Sequence, residues 1–319
     1  MGKLIKVAFV DFEPGFIPEQ SLLYRTLLQK YAVELSKTPD YVFYSNHGDR
    51  HLRYDAIRIF YTHENITPDF NFCDYAIGSD YLTLGDRYFR FPAYYLDREA
   101  FEQMNDKTYF TSDNIKCKGG FCGFYYGLDE QTPERDLIFE RLSKYRPVEA
   151  GGPLHNTVEG VVSEQLPFLS NQKFSIAFEE CSHPGYTSDV LLQSFAAQTI
   201  PIYWGNPFIG REFNTQAFVN CHDYRSWSEV VEAVRRIDQD DELYLKMMRA
   251  PALTGPERDI DRMEENLQAF LCGIIDRPLE NARRTGRSAA RSAYEKRECA
   301  KATLYRFSPK GLWEAIRRR

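Results

Sequence analysis

Between Lys173 and Phe218 the chain reads KFSIAFEECSHPGYTSDVLLQSFAAQTIPIYWGNPFIGREFNTQAF. An apolar run, a polar turn closing on Gly185-Tyr186, an amphipathic segment and a second apolar run ending in Trp-Gly-Asn-Pro follow one another. That is a strand-loop-helix-strand plan, and it constrains the region to α/β architecture with a helix N-terminus turned toward an anion. The pattern suits a nucleotide-diphosphate site.

The same alternation opens the chain. Leu4 to Asp11 is β-rich, Pro14 and Gly15 signal a turn, and Leu22, Leu23, Leu27 and Leu28 mark one side of a helix. Further strands are expected at Tyr41 to Tyr44, Ile57 to Tyr61 and Tyr75 to Gly78, as in a parallel sheet covered by helices. Asp97 to Pro133 is mixed, Gly-containing and without clear periodicity, which reads as the passage to a second domain. Beyond it, Arg135 to Tyr145 reads as a helix, Gly151 and Gly152 as a break, and Ser226 with Glu229 as a capping box ahead of Trp227, Val230, Val231 and Val234. The expected division is 1–105, 106–285 and a basic tail, 286–319.

At 319 residues and 43% hydrophobic, the chain has material for two domains. It contains no run of about twenty apolar residues, and Met1 to Phe12 is too short and too soon interrupted by Asp11 and Glu13 for a signal peptide, so a soluble, cytoplasmic protein is expected. Seven cysteines without a C-x-x-C pair read as reduced thiols, Cys117 and Cys122 included. The net charge of −6 is uneven: from Glu280 onward twelve basic residues face four acids, a net +8, which leaves −14 for the rest. Such a tail, with Leu312, Trp313 and Ile316 as an apolar edge, fits either peripheral attachment to anionic lipid at the inner face of the membrane or a solvated terminus. Nucleic acid is not an expected partner, since no reading module accompanies the charge.

The wording of two blocks adds to this. Phe174 to Glu180, Gly185 to Val190, Ile200 to Gly205, and Phe213, Asn214 and Phe218 follow the order F-x-x-x-x-E-N, G-Y-V-T-E-K, V/I-P-I-Y-W-G and F-N-x-x-x-F. Phe60 to Tyr95 (FYTHENITPDFNFCDYAIGSDYLTLGDRYFRFPAYY) forms the second block. Together they resemble the α1,3/4-fucosyltransferase family, especially its bacterial lipopolysaccharide members. The resemblance is clear over Phe60 to Tyr95 and Lys173 to Asn220 and loose elsewhere. It implies two Rossmann-like domains facing across a cleft (GT-B-like), the first on the acceptor side and the second binding the nucleotide-sugar donor. It further implies inverting transfer of fucose from GDP-fucose to a saccharide hydroxyl in an α1,3-type linkage, with neither metal nor organic cofactor.

Inverting transfer needs a carboxylate to take the acceptor's proton and positive or dipolar groups to stabilise the leaving diphosphate. Phe60 to Asn65 matches the family's F-Y-T-x-E-N, so Glu64 is the implied general base; without that context it reads as a surface or capping glutamate. The implied donor-binding set is Arg135, Glu180, Tyr186, Thr187, Ser188 and Asp189. Arg135 stands after Pro133 where the family has a phosphate-contacting arginine; on its own it reads as a helix-surface residue. Thr187 and Ser188 precede the expected helix Asp189 to Ala197, where hydroxyls and free N–H groups meet phosphate.

Among the departures from the pattern, Asp189 and Val190 replace Glu-Lys, and Glu180 replaces asparagine. Losing the lysine weakens a phosphate contact by roughly 1–3 kcal/mol. A neighbouring basic residue in its place, a different nucleotide sugar, or a non-catalytic glycan- or nucleotide-binding homologue are the resulting alternatives. Asp238-Gln239-Asp240 formally spells D-x-D, yet within its acidic run it reads as a solvated connector between helices. His63, His155, His183 and His222 have no metal-ligand spacing. Phe70, Phe72, Tyr88, Phe89, Tyr94 and Tyr95 read mostly as core aromatics.

Overall fold

The computed structural model describes residues 2–106, 117–253, 255–286, 289–306 and 308–309. They form two compact units, each built around one parallel sheet. The first unit comprises residues 1–78, 82–91 and 264 onward, and the second 79–81 and 92–263.

The first unit holds six strands, β1 (Leu4–Val10), β2 (Ala32–Leu35), β3 (Tyr41–Tyr44), β4 (Ile57–Tyr61), β5 (Tyr75–Gly78) and β6 (Tyr88–Arg90), in the order β2-β1-β3-β4-β5-β6. Every pairing is parallel, for example Val7 with Tyr41 and Ile59 with Tyr75. Parallel strands covered on both faces are apolar throughout, and β3 and β5 are buried at every position. Edge strand β2 (AVEL) is largely exposed. On one face Ala8, Val10, Val42, Tyr44, Phe60, Ala76 and Tyr88 pack into a single core. Helix α1 (Leu22–Leu28) starts where the Ser21 hydroxyl accepts a hydrogen bond from the Tyr24 N–H, and it buries Leu23 and Leu27.

The chain's later segment also belongs to this unit, which differs from the expected single cuts at 105 and 286. The physical reason is a set of unmet polar groups at the amino-terminal edge of the sheet. Asp74, fully buried before β5, accepts hydrogen bonds through Oδ1 from the N–H groups of Arg284 and Thr285, each at 2.7 Å, and from the Thr285 hydroxyl at 2.9 Å. The Ile275 carbonyl accepts from Lys3 Nζ at 2.6 Å and the Tyr41 hydroxyl at 3.2 Å. Further on, Glu295 pairs with the buried Arg58 at 2.8 Å. Part of the region expected as a basic tail is therefore a helix, Ala289–Arg306, that meets the sheet through Arg58. Leu312, Trp313 and Ile316 lie outside the described residues. No described helix is long and apolar enough to cross a membrane.

The second unit has strands β7 (Gly120–Phe124), β8 (Val148–Ala150), β9 (Gln172–Phe178), β10 (Ile200–Trp204) and β11 (Val219–Asn220), ordered β11-β10-β9-β7-β8 and again all parallel. Phe174, Ile176, Phe178, Ile200 and Ile202 interlock with Ile138 and Leu142 of helix Pro133–Ser143 and with Val230 and Val234 of helix Trp227–Gln239. The Ser226 hydroxyl accepts from the Glu229 N–H, as the capping box predicts, while the Glu229 carboxylate accepts from the Arg225 N–H rather than from Ser226.

Two expectations change here. Asp238 is buried in the last turn of its helix, where Lys173 Nζ (2.7 Å), Arg146 Nη1 (2.8 Å) and the Tyr145 hydroxyl (2.9 Å) all donate to it. Burial alone would raise its pKa, but these donors lower it. Asp240 caps the next helix, accepting from the Leu243 N–H. The D-x-D is thus an internal ion-pair node and a cap, not a solvated connector. Within the stretch read as aperiodic, Asp97 caps a helix, Arg98–Asn105, that buries Ala100, Phe101 and Met104.

Candidate active site

In the first unit, loops leaving the carboxyl ends of β1, β3 and β4 converge. Glu64 stands three residues beyond β4, its backbone N–H donating to the Thr62 hydroxyl at 3.1 Å. Its carboxylate is gripped from the β3 loop: Asn46 Nδ2 donates to Oε2 at 2.7 Å, and His47 Nε2 lies 2.8 Å from Oε1. The side chain nevertheless keeps 43% of its surface exposed. A carboxylate that is oriented by two donors and still open to solvent is equipped to take a proton from an incoming hydroxyl.

The loop that holds Glu64 is itself anchored. Asp11, after β1, adopts φ +60°, a left-handed conformation that aspartate tolerates better than most residues, and it is buried. Its carbonyl accepts from the His47 N–H at 2.9 Å, and its carboxylate accepts from the N–H groups of Arg50 and His51 and from His51 Nδ1. Burial would raise the Asp11 pKa, but the hydrogen bonds from His51 and Arg50 outweigh it and hold the carboxyl below its ordinary value. The His51 ring stacks on Tyr44 at 3.8 Å. A Cβ on Gly48 would lie 2.3 Å from Asp11 Oδ1, so the loop closes over the carboxylate only with glycine there.

In the second unit the loop between β9 and the helix Val190–Ala196 is shaped by Asn206, which follows β10. Fully buried, its Oδ1 accepts from the N–H groups of Gly185 and Phe208, both at 3.0 Å, and its Nδ2 donates to the hydroxyls of Tyr81 (3.2 Å) and Thr187 (3.3 Å). All four hydrogen bonds of the amide are made. Gly185 has φ +95°, and a Cβ there would come within 2.8 Å of the Ser79 carbonyl oxygen and the Tyr81 nitrogen. Glu179 ends the strand: its N–H donates to the Trp204 carbonyl and its Oε1 accepts from the Ser188 N–H at 3.0 Å. Burial pushes this carboxyl up to about 7, against the lowering effect of the Ser188 hydrogen bonds. Gly205 faces it, since a Cβ there would sit 2.2 Å from Glu179 Cγ.

Around that frame, Tyr186 and Thr187 are buried, Ser188 is half-buried, and Glu180 and Asp189 are exposed. Burial, then the nearby Glu179, raise the pKa of the Tyr186 hydroxyl and keep it a neutral donor. The Ser188 hydroxyl accepts from the Val190 N–H at 3.3 Å, just ahead of a short helix, Val190–Ala196, that begins one residue later than the sequence places it. Val190, at the position of the family's lysine, packs against the apolar core.

Arg135 is buried and already committed. Its Nε and Nη2 donate to the Phe178 carbonyl at 3.1 and 2.6 Å, Nη1 donates to the Glu130 carbonyl, and the guanidinium lies 4.1 Å above the Tyr126 ring. Tyr126 donates to the Ile176 carbonyl at 2.9 Å and accepts from the Phe178 N–H at 2.7 Å. The pair therefore supports the end of β9. Glu212 is buried between the hydroxyls of Tyr81 and Tyr94, both donating to it. His183 pairs with Asp80 at 2.9 Å, His155 with Asp136 at 2.6 Å, and His222 with the Gly205 carbonyl at 3.0 Å, while His63 is exposed. Among the described residues no group of three or more His, Cys, Asp or Glu side chains could hold a metal ion.

Two family models match this arrangement: "Alpha-(1,3)-fucosyltransferase FucT N-terminal domain" over residues 7–97, and "Glycosyltransferase family 10 (fucosyltransferase) C-term" over residues 126–285. The chain belongs to glycosyltransferase family 10. It is 33% identical over 268 residues to the Alpha-(1,3)-fucosyltransferase FucT of Helicobacter pylori, covering 72% of this chain and 56% of that protein. It thus spans little more than half the length of that relative. Among solved structures, a crystal structure of an alpha1,3-fucosyltransferase superposes with TM-score 0.74 at 27% identity, covering 86% of this chain and 91% of the other. A structure of an alpha1,3-fucosyltransferase with GDP-fucose gives TM-score 0.70 at 26% identity, covering 85% and 91%. The fold is GT-B-like, with two parallel Rossmann-like sheets.

Four residues that shape the family's motifs here were not singled out from sequence: Glu179, Asn206, Asn46 and His47. The first two lay inside the quoted motif, so the signal was present. The last two had none, because they reach Glu64 across a pairing of β3 with β4 that only the sheet provides.

Proposed function

We propose that the chain transfers fucose from GDP-fucose to a saccharide hydroxyl, with inversion at the anomeric carbon and an α1,3-type linkage. Glu64 takes the acceptor proton as the oxygen bonds to the anomeric carbon, and the bond from that carbon to the β-phosphate oxygen breaks, releasing GDP with the electron pair. The observation that carries the reading is the Glu64 carboxylate itself, fixed by Asn46 and His47 beyond β4 yet open to solvent. In the second unit, Tyr186, Thr187, Ser188 and Asp189 form the donor-binding loop, with Glu180 at its exposed start. Arg135 acts on it through the Phe178 carbonyl. The negative charge that develops on the leaving diphosphate favours hydroxyl and N–H donors at this loop.

Thermal-shift and binding measurements against GDP-fucose, GDP, a UDP-sugar and a CMP-sugar test the donor. Selective stabilisation by the GDP compounds is expected, and none would reject it. Loss of transfer in Glu64→Ala, with GDP affinity retained, is expected; transfer that persists removes Glu64 as base.

A second reading, transfer from a different nucleotide sugar, is favoured by Val190, whose apolar side chain is turned to the core where the motif carries lysine. The same panel separates the two.

A further inference from the structure

We propose that His47, fastened by Asp11, is a positioning residue for Glu64. This rests on the reading of Glu64 as the base.

An ionised carboxylate only accepts, so the hydrogen shared across the 2.8 Å contact with Oε1 sits on His47 Nε2. Asn46 serves Oε2 from the other side at 2.7 Å. One donor on each oxygen selects a single orientation of a side chain that is otherwise 43% exposed and free to rotate, and it leaves a lone pair on each oxygen for the acceptor hydroxyl.

A histidine can do this only if its own loop is stiff, and this one is. The His47 N–H is tied to the Asp11 carbonyl at 2.9 Å. Four residues on, His51 closes the loop with its N–H and Nδ1 both 2.9 Å from Asp11 Oδ2 and its ring stacked on Tyr44. Of the other charged groups around the loop, Arg50 pairs with Asp11 Oδ1 at 3.3 Å, Asp49, next to it in sequence, is buried, and His63, on the loop of Glu64, is exposed. Asp11 therefore sets where the His47 ring stands, and His47 sets where the carboxylate points.

The test uses the full chain with GDP-fucose as donor and N-acetyllactosamine as acceptor, with Glu64→Ala run alongside. His47→Leu, which keeps bulk but no donor, is expected to lower kcat about 10- to 100-fold, with the acceptor KM within about twofold and unchanged affinity for GDP. His47→Gln, whose side-chain amide offers an N–H at a similar reach, is expected to recover most of the loss. A His47→Leu enzyme with wild-type kcat, or a His47→Gln enzyme no better than His47→Leu, overturns the proposal. Transfer surviving in Glu64→Ala would instead strike the base assignment.

A second readout needs no acceptor. In spectra of ¹⁵N-labelled imidazoles at neutral pH, His47 should carry its hydrogen on Nε2 in the wild type and should redistribute between ring nitrogens in Glu64→Ala. An Nε2 without hydrogen in the wild type overturns the proposal whatever the activity.

Discussion

Glu179 Oε1 and the backbone N–H of Ser188 are joined by a 3.0 Å hydrogen bond that spans the whole loop between β9 and the following helix. The bond makes a buried carboxyl, rather than the exposed Glu180 beside it, the internal support of the proposed donor loop. Burial keeps that carboxyl near neutrality in its proton affinity, about 7 against an ordinary 4.5. Since the folded state holds the proton more tightly than the unfolded chain, Glu179 makes stability fall as pH rises from about 4.5 to 7. The shift corresponds to about 3 kcal/mol. Glu179→Gln keeps an acceptor for Ser188 and has no proton to lose. Chemical denaturation at pH 5 and pH 8 should show the variant gaining on the wild type by up to that amount at pH 8 and matching it near pH 5. An equal difference at both values would reject the buried-acid account.

Asn206→Ala removes all four hydrogen bonds of a fully buried amide and leaves the Gly185 and Phe208 N–H groups without their acceptor. A loss of about 2–4 kcal/mol follows. GDP binding should weaken more than tenfold, because Thr187 and Gly185 lose their common support. Asn206→Asp, which keeps Oδ1 but not the donors, should bind GDP with an affinity between the two. Calorimetric titration with GDP checks both.

Asp11 contributes in the opposite pH direction from Glu179. Its folded pKa lies below the ordinary 3.8, so the stability it supplies is full above that value and is lost as pH falls through the folded pKa. Asp11→Ala should cost about 2–3 kcal/mol at pH 7, through unsatisfied N–H groups in the β3 loop, and should flatten the acid limb of the unfolding profile. Identical acid limbs in variant and wild type would rule this out.

Asp238→Ala strands Lys173, which is only 12% exposed, and frees the half-exposed Arg146. Because one partner retains solvent, about 2–3 kcal/mol is expected rather than the larger cost of a wholly buried pair. Metal binding is the competing use of this D-x-D. Transfer by the wild type should be indifferent to a chelator such as EDTA, and a chelator-sensitive rate would reopen that use.

Much of the plan was legible in the chain. Strands β1, β3, β4 and β5 are apolar or alternating runs, and the Ser226 cap is local chemistry. What escaped has a common cause. Strand β2, with Glu34 and exposed positions, earns its place by pairing to β1 rather than by pattern. The guanidinium of Arg135 and the carboxylate of Asp238 looked like surface charges because their partners, the Phe178 carbonyl and Lys173, are about 40 and 65 residues away along the chain. Glu64 is singled out by its motif, whereas the His47 that contacts it sits on a neighbouring strand's loop and no motif marks it.

The first sheet is finished by residues made after the whole of the second unit. Asp74 and Ile275 bind together segments that lie more than two hundred residues apart along the chain, 210 for Asp74 with Arg284 and 272 for Ile275 with Lys3. The second unit, nearly all of it one continuous stretch from Pro92 to Met263, is complete while the first still lacks its closing partners. On the ribosome, where domains form as their sequence emerges, the lobe encoded second therefore matures first, and the earlier lobe waits with Asp74 Oδ1 lacking its donors until Arg284 and Thr285 arrive.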